Sequence, residues 1–369
     1  MGSRCDASSS VVRLPKPAWV RLLLVAVSVP TVMKAAEFAG DGALRLAERP
    51  VPRVPDCWSL VRVRAAGVCG TELHFLEGLI DPMGTPRVLG HEIAGEVNGA
   101  RAGSPGSRVA VYNVMNCGSC RYCNTNRDRL CENSKGMIGF TADGGFAEYV
   151  VVPEANLVPL PDTVSFEAGA VLACSGMTAV HAVRLAGIGA GDPVVVNGIG
   201  GVGLMVAQVA ALAGATVLAV ADDAAKLDLV QSLGAQAGLV IGDPEGYSTF
   251  PVEASRMLGR APDVFFETVG TRETMRAGFG CLAPGGSFVQ IGYTSQPLDI
   301  HPGALIKNEL RILTSAAGSR NDLETAIALA AQGLLKTVIA GRTDLDGLQA
   351  AILSLKDRRV LGRNVVTFP

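Results

Sequence analysis

The sequence predicts an α/β protein of two domains: a mostly β domain rich in cysteine, and a doubly wound parallel-sheet domain. Three observations predict it. Short strand-like stretches separated by Pro and Gly turns fill the chain from Met33 to Cys174. A glycine-rich turn, Gly198-Ile199-Gly200-Gly201-Val202-Gly203, then joins a β-branched run to a helical one. Beyond it strand and helix patterns alternate, as in a parallel sheet covered on both faces.

Length and composition agree. At 369 residues the chain has room for two domains, and an apolar content of 49% is enough for a large core. The formal net charge of −2 gives no basic excess, so neither nucleic acid nor an anionic membrane is an expected partner. The cysteines, 9 in all, are spaced for metal ligation rather than for a secreted disulfide framework. Thiolate metal sites favour a reducing compartment, so the expected location is the cytoplasm.

Residues 1–32 read as an unstructured N-terminal extension. Arg13, Lys16 and Arg21 precede the apolar run Leu22 to Pro30, which superficially matches a signal peptide. No small-residue cleavage site follows it, and Met33 to Phe38 reads as a first strand, so Met33 is the expected working start. Strands are then expected at Leu60–Ala65, where apolar and polar residues largely alternate, at Ile93–Val97 and at Arg108–Tyr112. Pro50, Pro52, Pro55 and the stretch Ala102 to Ser107 mark turns.

The chemistry of this first domain begins with Cys69-Gly70-Thr71-Glu72-Leu73-His74 and Leu89-Gly90-His91-Glu92. A thiolate and a neutral imidazole are preferred zinc ligands, and two alone leave a site unfinished. Cys174, in Leu172-Ala173-Cys174-Ser175-Gly176, is the best candidate for a third. Three donors with an open fourth position suit a catalytic zinc. Taken singly, these residues read equally well as a buried thiol and a satisfied core histidine; their combination favours the metal. Cys117, Cys120 and Cys123 follow at intervals of three, with Cys131 after them. Four thiolates close a tetrahedral zinc site with no place for substrate, so its expected task is to hold a lobe in shape.

The second domain opens with the strand Val194–Asn197, the glycine turn, a helix from Leu204 to Ala213 and the strand Thr216–Val220. This βαβ unit needs one glycine for the turn, one for backbone approach to a pyrophosphate and one for helix–strand packing. The helix N-terminus offers N–H groups and partial positive charge to the phosphates. The stretch Val194 to Ala221 has no charged residue, as a membrane span would, but glycines grouped at one turn argue against a continuous helix. Helices at Ala224–Leu233, around Ala254–Met257, at Glu273–Cys281 and at Asp322–Gln332 alternate with strands at Gly238–Ile241, Asp263–Glu267 and Ser287–Gly292. The ending Asn364–Phe368 reads as a strand returning to the first domain.

These motifs together resemble the zinc-dependent medium-chain dehydrogenases of the alcohol dehydrogenase family, from Met33 to the C-terminus. The resemblance implies a GroES-like catalytic domain, residues 33–175 and 317–369, interrupted by a Rossmann domain, residues 176–316. It implies catalytic zinc on Cys69, His91 and Cys174, with Glu92 beside it, and structural zinc on Cys117, Cys120, Cys123 and Cys131. Thr71 and His74 match the family's proton relay. Gly198, Gly200, Gly201, Val202, Gly203, Asp222, Lys226, Ile291 and Arg363 are the implied cofactor contacts. The implied activity is hydride transfer between a small-molecule alcohol or carbonyl compound and NAD, in a homo-oligomer, dimer or tetramer.

Zinc acidifies a bound alcohol as it does bound water. The proton then needs a route out, which a hydroxyl passing it to an imidazole provides. NAD is expected over NADP because Asp222 and Asp223 follow the second strand and no arginine occurs between Gly203 and Arg256. The family's acidic residue usually follows the last valine of that strand directly; here Ala221 does. The polyol branch usually has a carboxylate as third ligand, so Cys174 points to the alcohol branch. Polyol, threonine and secondary-metabolite dehydrogenases on this scaffold, and a non-catalytic zinc and nucleotide-binding relative, are the alternatives. His181, His301, Cys5, Cys57 and Cys281 receive no role, and no partner for His181 is legible.

Overall fold

A computed structural model describes residues 29–98 and 105–369. The expected extension before residue 29 and the Ala102-Gly103-Ser104 part of the expected turn lie outside the described residues.

The mostly β part is built on the strand Trp58–Val68, longer than the sequence suggested. The sheet order is Ile339–Thr343, Arg363–Thr367, Trp58–Val68, Glu92–Val97, Arg108–Val111 and Leu157–Pro159, with Tyr149–Pro153 also paired to Trp58–Val68. Val61, Val63 and Ala65 are fully buried while Arg62 and Arg64 are only half-buried, as alternation requires. The C-terminal strand Arg363–Thr367 returns to this sheet, antiparallel to Trp58–Val68. A second, smaller sheet joins Val32–Phe38 to Leu44–Pro50 and Arg87–Val88. One pairing prepares the site: Gly67 lies opposite Glu92 across the strands. A Cβ at Gly67 would overlap the Glu92 carboxylate, so only glycine leaves that side chain its room.

The second part is a parallel sheet in the order Ala237–Val240, Thr216–Ala221, Pro193–Asn197, Val264–Glu267, Ser287–Gln290 and Arg311–Thr314. Numbered along the chain, that is 3-2-1-4-5-6, the Rossmann order. Val194, Val195 and Val196 are all fully buried, as expected of a central parallel strand covered on both faces. Strand order reverses between Pro193–Asn197 and Val264–Glu267, and a crevice opens beyond their C-terminal ends. The charge-free stretch Val194 to Ala221 is thereby a strand, a turn, the helix Gly201–Leu212 and a second strand.

Between the two sheets runs a helical spine, Phe166–Ala186, interrupted at Leu172–Gly176 by one π-helical turn. It is the one helix among the described residues long and apolar enough to cross a membrane, yet 72% of its apolar window is buried within the protein. One hydrophobic cluster runs through it, from Ala65 and Ala94 through Leu172 and Met177 to Val196, Val206 and Val365. The sequence reading of the first domain as strands and turns misses this helix before Ser175. It also misses the short helix Gly70–Leu76, because a glycine at the first helical position looks like a turn.

Candidate functional site

The metal-ligating groups separated in sequence converge. The donor atoms of Cys69, His91, Glu92 and Cys174 all lie within 4.8 Å of one another. Cys69 follows the long strand directly and caps the start of the helix Gly70–Leu76. His91 immediately precedes the strand Glu92–Val97. Cys174 sits in the π-helical turn, where the extra residue re-aims a side chain off the regular helical stripe. Contact with Cys174 holds the Cys69 thiol well below the usual thiol range, despite burial, and the same contact pushes Cys174 well above it. A donor set of two sulfurs and one imidazole, with a carboxylate alongside, fits zinc.

Glu72 is the residue that sequence reasoning left without a role. It is fully buried, its Oε1 lies 2.8 Å from His91 Nδ1, and its Oε2 accepts the Cys69 backbone N–H at 2.9 Å. A carboxylate on Nδ1 fixes the imidazole so that Nε2 is the atom left for a metal. The signal was present in the quoted stretch: an acidic residue three positions after a ligand cysteine, at a helix start.

Glu92 is also fully buried, and burial pushes its carboxyl up to about 8 against the opposing charge of Arg363. Arg363 Nη2 lies 3.0 Å from Glu92 Oε1 and also donates to Ser175 Oγ. The guanidinium packs against Gly201 of the glycine turn. Arg363 therefore touches both the metal donors and the nucleotide turn, rather than the turn alone.

Cys117, Cys120, Cys123 and Cys131 form the second cluster, with Cys120 Sγ 3.5 Å from Cys123 Sγ and 4.0 Å from Cys131 Sγ. The Ser119 backbone N–H holds the Cys117 thiol down to about 5, while burial pushes Cys123 up to about 12. Four sulfurs at such separations fit a closed tetrahedral zinc.

A cleft of about 940 Å³ joins the first metal group to the parallel sheet. Cys69, His91 and Cys174 line one part, and the glycine turn from Gly198 to Gly203 another. Gly198 turns the chain with φ +92°, a left-handed value that suits glycine. A Cβ at Gly203 would overlap the Gly198 carbonyl oxygen, whereas at Gly200 a Cβ would meet open space. Ile291, Asp222 and Lys226 line the same cleft. Lys226 Nζ donates to Asp222 Oδ1 at 2.6 Å and to the Arg358 carbonyl oxygen. Asp223 instead accepts the Ala225 N–H and caps the helix Ala224–Ser232. The expectation of two carboxylates facing a cofactor is corrected to one, already joined by a cation four residues along the helix.

Thr71 and His74 both line the cleft. Thr71 Oγ1 lies 3.6 Å from Cys69 Sγ, and the His74 ring lies 5.4 Å from that of Tyr293. His74 Nδ1 is buried without a hydrogen-bond partner. No direct hydrogen bond joins Thr71 to His74 among the described residues, although both line the cleft. His181, which seemed partnerless, lies 3.0 Å from Asp322 Oδ2, a helix-to-helix contact no local pattern reveals.

Two family descriptions match the chain: the alcohol dehydrogenase GroES-like domain over residues 55–162 and zinc-binding dehydrogenase over residues 201–332. An alcohol dehydrogenase of Geobacillus stearothermophilus is 31% identical over 306 residues, covering 80% of this chain and 88% of its own. An NAD-dependent alcohol dehydrogenase of Sulfurisphaera tokodaii is 31% identical over 339 residues, covering 88% and 96%. The structure of a cobalt- and zinc-bound thermostable alcohol dehydrogenase from Pyrobaculum aerophilum superposes with a TM-score of 0.81 at 28% identity, over 91% of this chain and 100% of that one. With its cysteine–histidine donor group, its four-cysteine lobe and its Rossmann cleft, this chain belongs to the zinc-type medium-chain alcohol dehydrogenase family.

Proposed function

We propose that this chain is a zinc-dependent alcohol dehydrogenase that moves a hydride between an alcohol and NAD. One observation carries the reading: Cys69, His91 and Cys174 converge on the wall of the same cleft that holds the glycine turn. When bound, zinc supplies the Lewis acidity that favours loss of the alcohol proton, and the nicotinamide supplies a hydride acceptor.

The chain's own residues do the rest. Cys69, His91 and Cys174 are assigned to the catalytic zinc, with Glu72 fixing the His91 ring. Cys117, Cys120, Cys123 and Cys131 are assigned to the structural zinc. The backbone from Gly200 to Gly203 and the start of the helix Gly201–Leu212 receive the pyrophosphate. Thr71 and His74 carry the proton outward. Phe140, whose ring lies 4.8 Å from that of His91, and Ile80 keep water from the reacting atoms.

The limits 33–175, 176–316 and 317–369 remain the proposed domain division, supported by the parallel sheet ending at Thr314. A homo-oligomer is supported by the edge strand Arg311–Thr314, preceded by a helix on which Ile306 is 77% exposed. The sulfur-rich donor sets support a reducing, cytoplasmic location.

The test is NADH production from a panel of primary, secondary and polyhydric alcohols, by protein loaded with zinc. Turnover that is lost on chelation and restored by zinc is expected. Folded, zinc-loaded protein that binds NAD and turns over nothing in either direction would make the chain a non-catalytic relative.

A further inference from the structure

We propose that the alcohol or carbonyl substrate of this site carries a carboxylate, held by Arg129, with Asn113 accepting from a hydroxyl in the same cleft. The inference rests on the alcohol dehydrogenase reading and names its substrate class.

Arg129 lies in the four-cysteine lobe, within the 3₁₀ turn Asp128–Leu130 just before Cys131. Its neighbour Asp128 is spent on holding the lobe: Oδ2 accepts Asn116 Nδ2 and the Arg320 backbone N–H, each at 3.1 Å. Arg129 instead lines the cleft. Its Nε is buried and makes no hydrogen bond, and no carboxylate among the described residues lies within ion-pair distance of it.

That distinguishes it from the other cations along the cleft. Lys226 is paired with Asp222, Lys356 with Glu77 and Arg363 with Glu92. Arg358 has no such partner either, but it belongs to the Asp222–Lys226 region, where its carbonyl oxygen accepts from Lys226. A guanidinium left unpaired on a cleft wall is a fitted receptor for a planar anion, which it grips through two parallel N–H bonds.

Asn113 supplies the second, independent observation. It is 1% exposed and lines the cleft, and its Oδ1 is buried with no hydrogen-bond partner. Buried acceptors are nearly always bonded, so this one calls for a donor such as a hydroxyl. Its backbone oxygen accepts the Ile138 N–H at 2.8 Å, beside the turn that carries Phe140 against His91. Asn113 lines the same cleft as Cys69, His91 and Cys174, and its free Oδ1 is an acceptor, so it takes a hydroxyl of the substrate while the carboxylate goes to Arg129. Neither residue stands out in the sequence, because neither lies in a ligand or glycine motif.

The experiment uses the full chain loaded with zinc, with NAD, and matched substrate pairs. 4-Hydroxybutanoate is compared with 1-butanol, and 3-hydroxybutanoate with 2-butanol, by kcat/KM. The native protein is expected to favour at least one hydroxy acid over its neutral partner by about tenfold or more, the size of a charge-assisted hydrogen bond. In Arg129→Gln that preference should fall by about 10- to 100-fold while neutral-alcohol turnover stays within about twofold. Arg129→Lys should keep part of the preference, since the charge stays and the fork is lost. Neutral turnover without a preference for either acid, or an equal loss for both members of a pair in Arg129→Gln, overturns the carboxylate and leaves the alcohol dehydrogenase standing. No turnover of any alcohol overturns both.

Discussion

Glu72 Oε1 lies 2.8 Å from His91 Nδ1, and both side chains are buried where no water competes for the contact. A residue with no metal-binding role of its own thus decides which imidazole nitrogen faces the other donors. Glu72→Gln keeps the shape but weakens the acceptor, so zinc affinity at the catalytic site is expected to fall about 10- to 100-fold. Competition against a chelator measures it; unchanged affinity in Glu72→Gln would show that the ring needs no carboxylate.

Two separate donor groups predict two zinc ions per chain. Cys69→Ser is expected to abolish turnover and leave one zinc in a folded protein. Cys120→Ser is expected to release the other zinc and lower stability, since a closed four-thiolate site ties its lobe together. Elemental analysis with thermal melting separates these outcomes, and a native protein that folds with one zinc or fewer refutes the pair.

His74 is expected to move a proton and not to hold metal, since its ring packs against Tyr293 and lies outside the donor group. His74→Ala should slow alcohol oxidation about 100-fold, within the range of a lost acid–base group, and change its pH profile with both zincs retained. Loss of a zinc from this variant would instead make His74 a ligand.

NAD is expected to be preferred over NADP by kcat/KM. Asp222 offers a carboxylate where the adenosine ribose of a Rossmann cofactor lies, and a 2′-phosphate there meets repulsion of about 1–4 kcal/mol. Lys226 offsets part of it through its 2.6 Å bond to Asp222. Asp222→Ala should therefore erode the preference, with Lys226 left free to attract phosphate. A native preference for NADP would mean that Lys226, not Asp222, meets the ribose.

Asp322 predicts a pH effect on stability. Burial alone would raise its carboxyl, but hydrogen bonds from His181, Arg184 and Ser319 outweigh it and hold the group well below the usual carboxylate range. A depressed carboxyl stabilises above its unfolded value, and the contribution is lost as pH falls through the folded one. Asp322→Asn should cost about 1–3 kcal/mol at pH 7, discounted because Arg184 is 43% exposed. The gap between native and variant, read by denaturant melts, should narrow below about pH 4. A gap that widened on acidification would contradict this sign.

The residues that touch their neighbours in sequence were legible without the fold. The turn from Gly198 to Gly203 groups four glycines within six positions, and the spacing of Cys117, Cys120 and Cys123 is local, so pattern alone exposes both. What the sequence could not decide depends on side chains brought together across the chain. Glu72 was in plain view, but only the fold sets it on a histidine 19 residues away. The π-helical turn that presents Cys174 leaves no sequence mark, because one extra residue in a helix changes direction without changing composition. Arg363 meets Glu92, Lys226 meets the Arg358 carbonyl and Asp322 meets His181 only because strands and helices far apart in sequence pack side by side. Periodicity and spacing are properties of neighbours along the chain, whereas charge pairing and burial are properties of neighbours in space, and only tertiary structure supplies those.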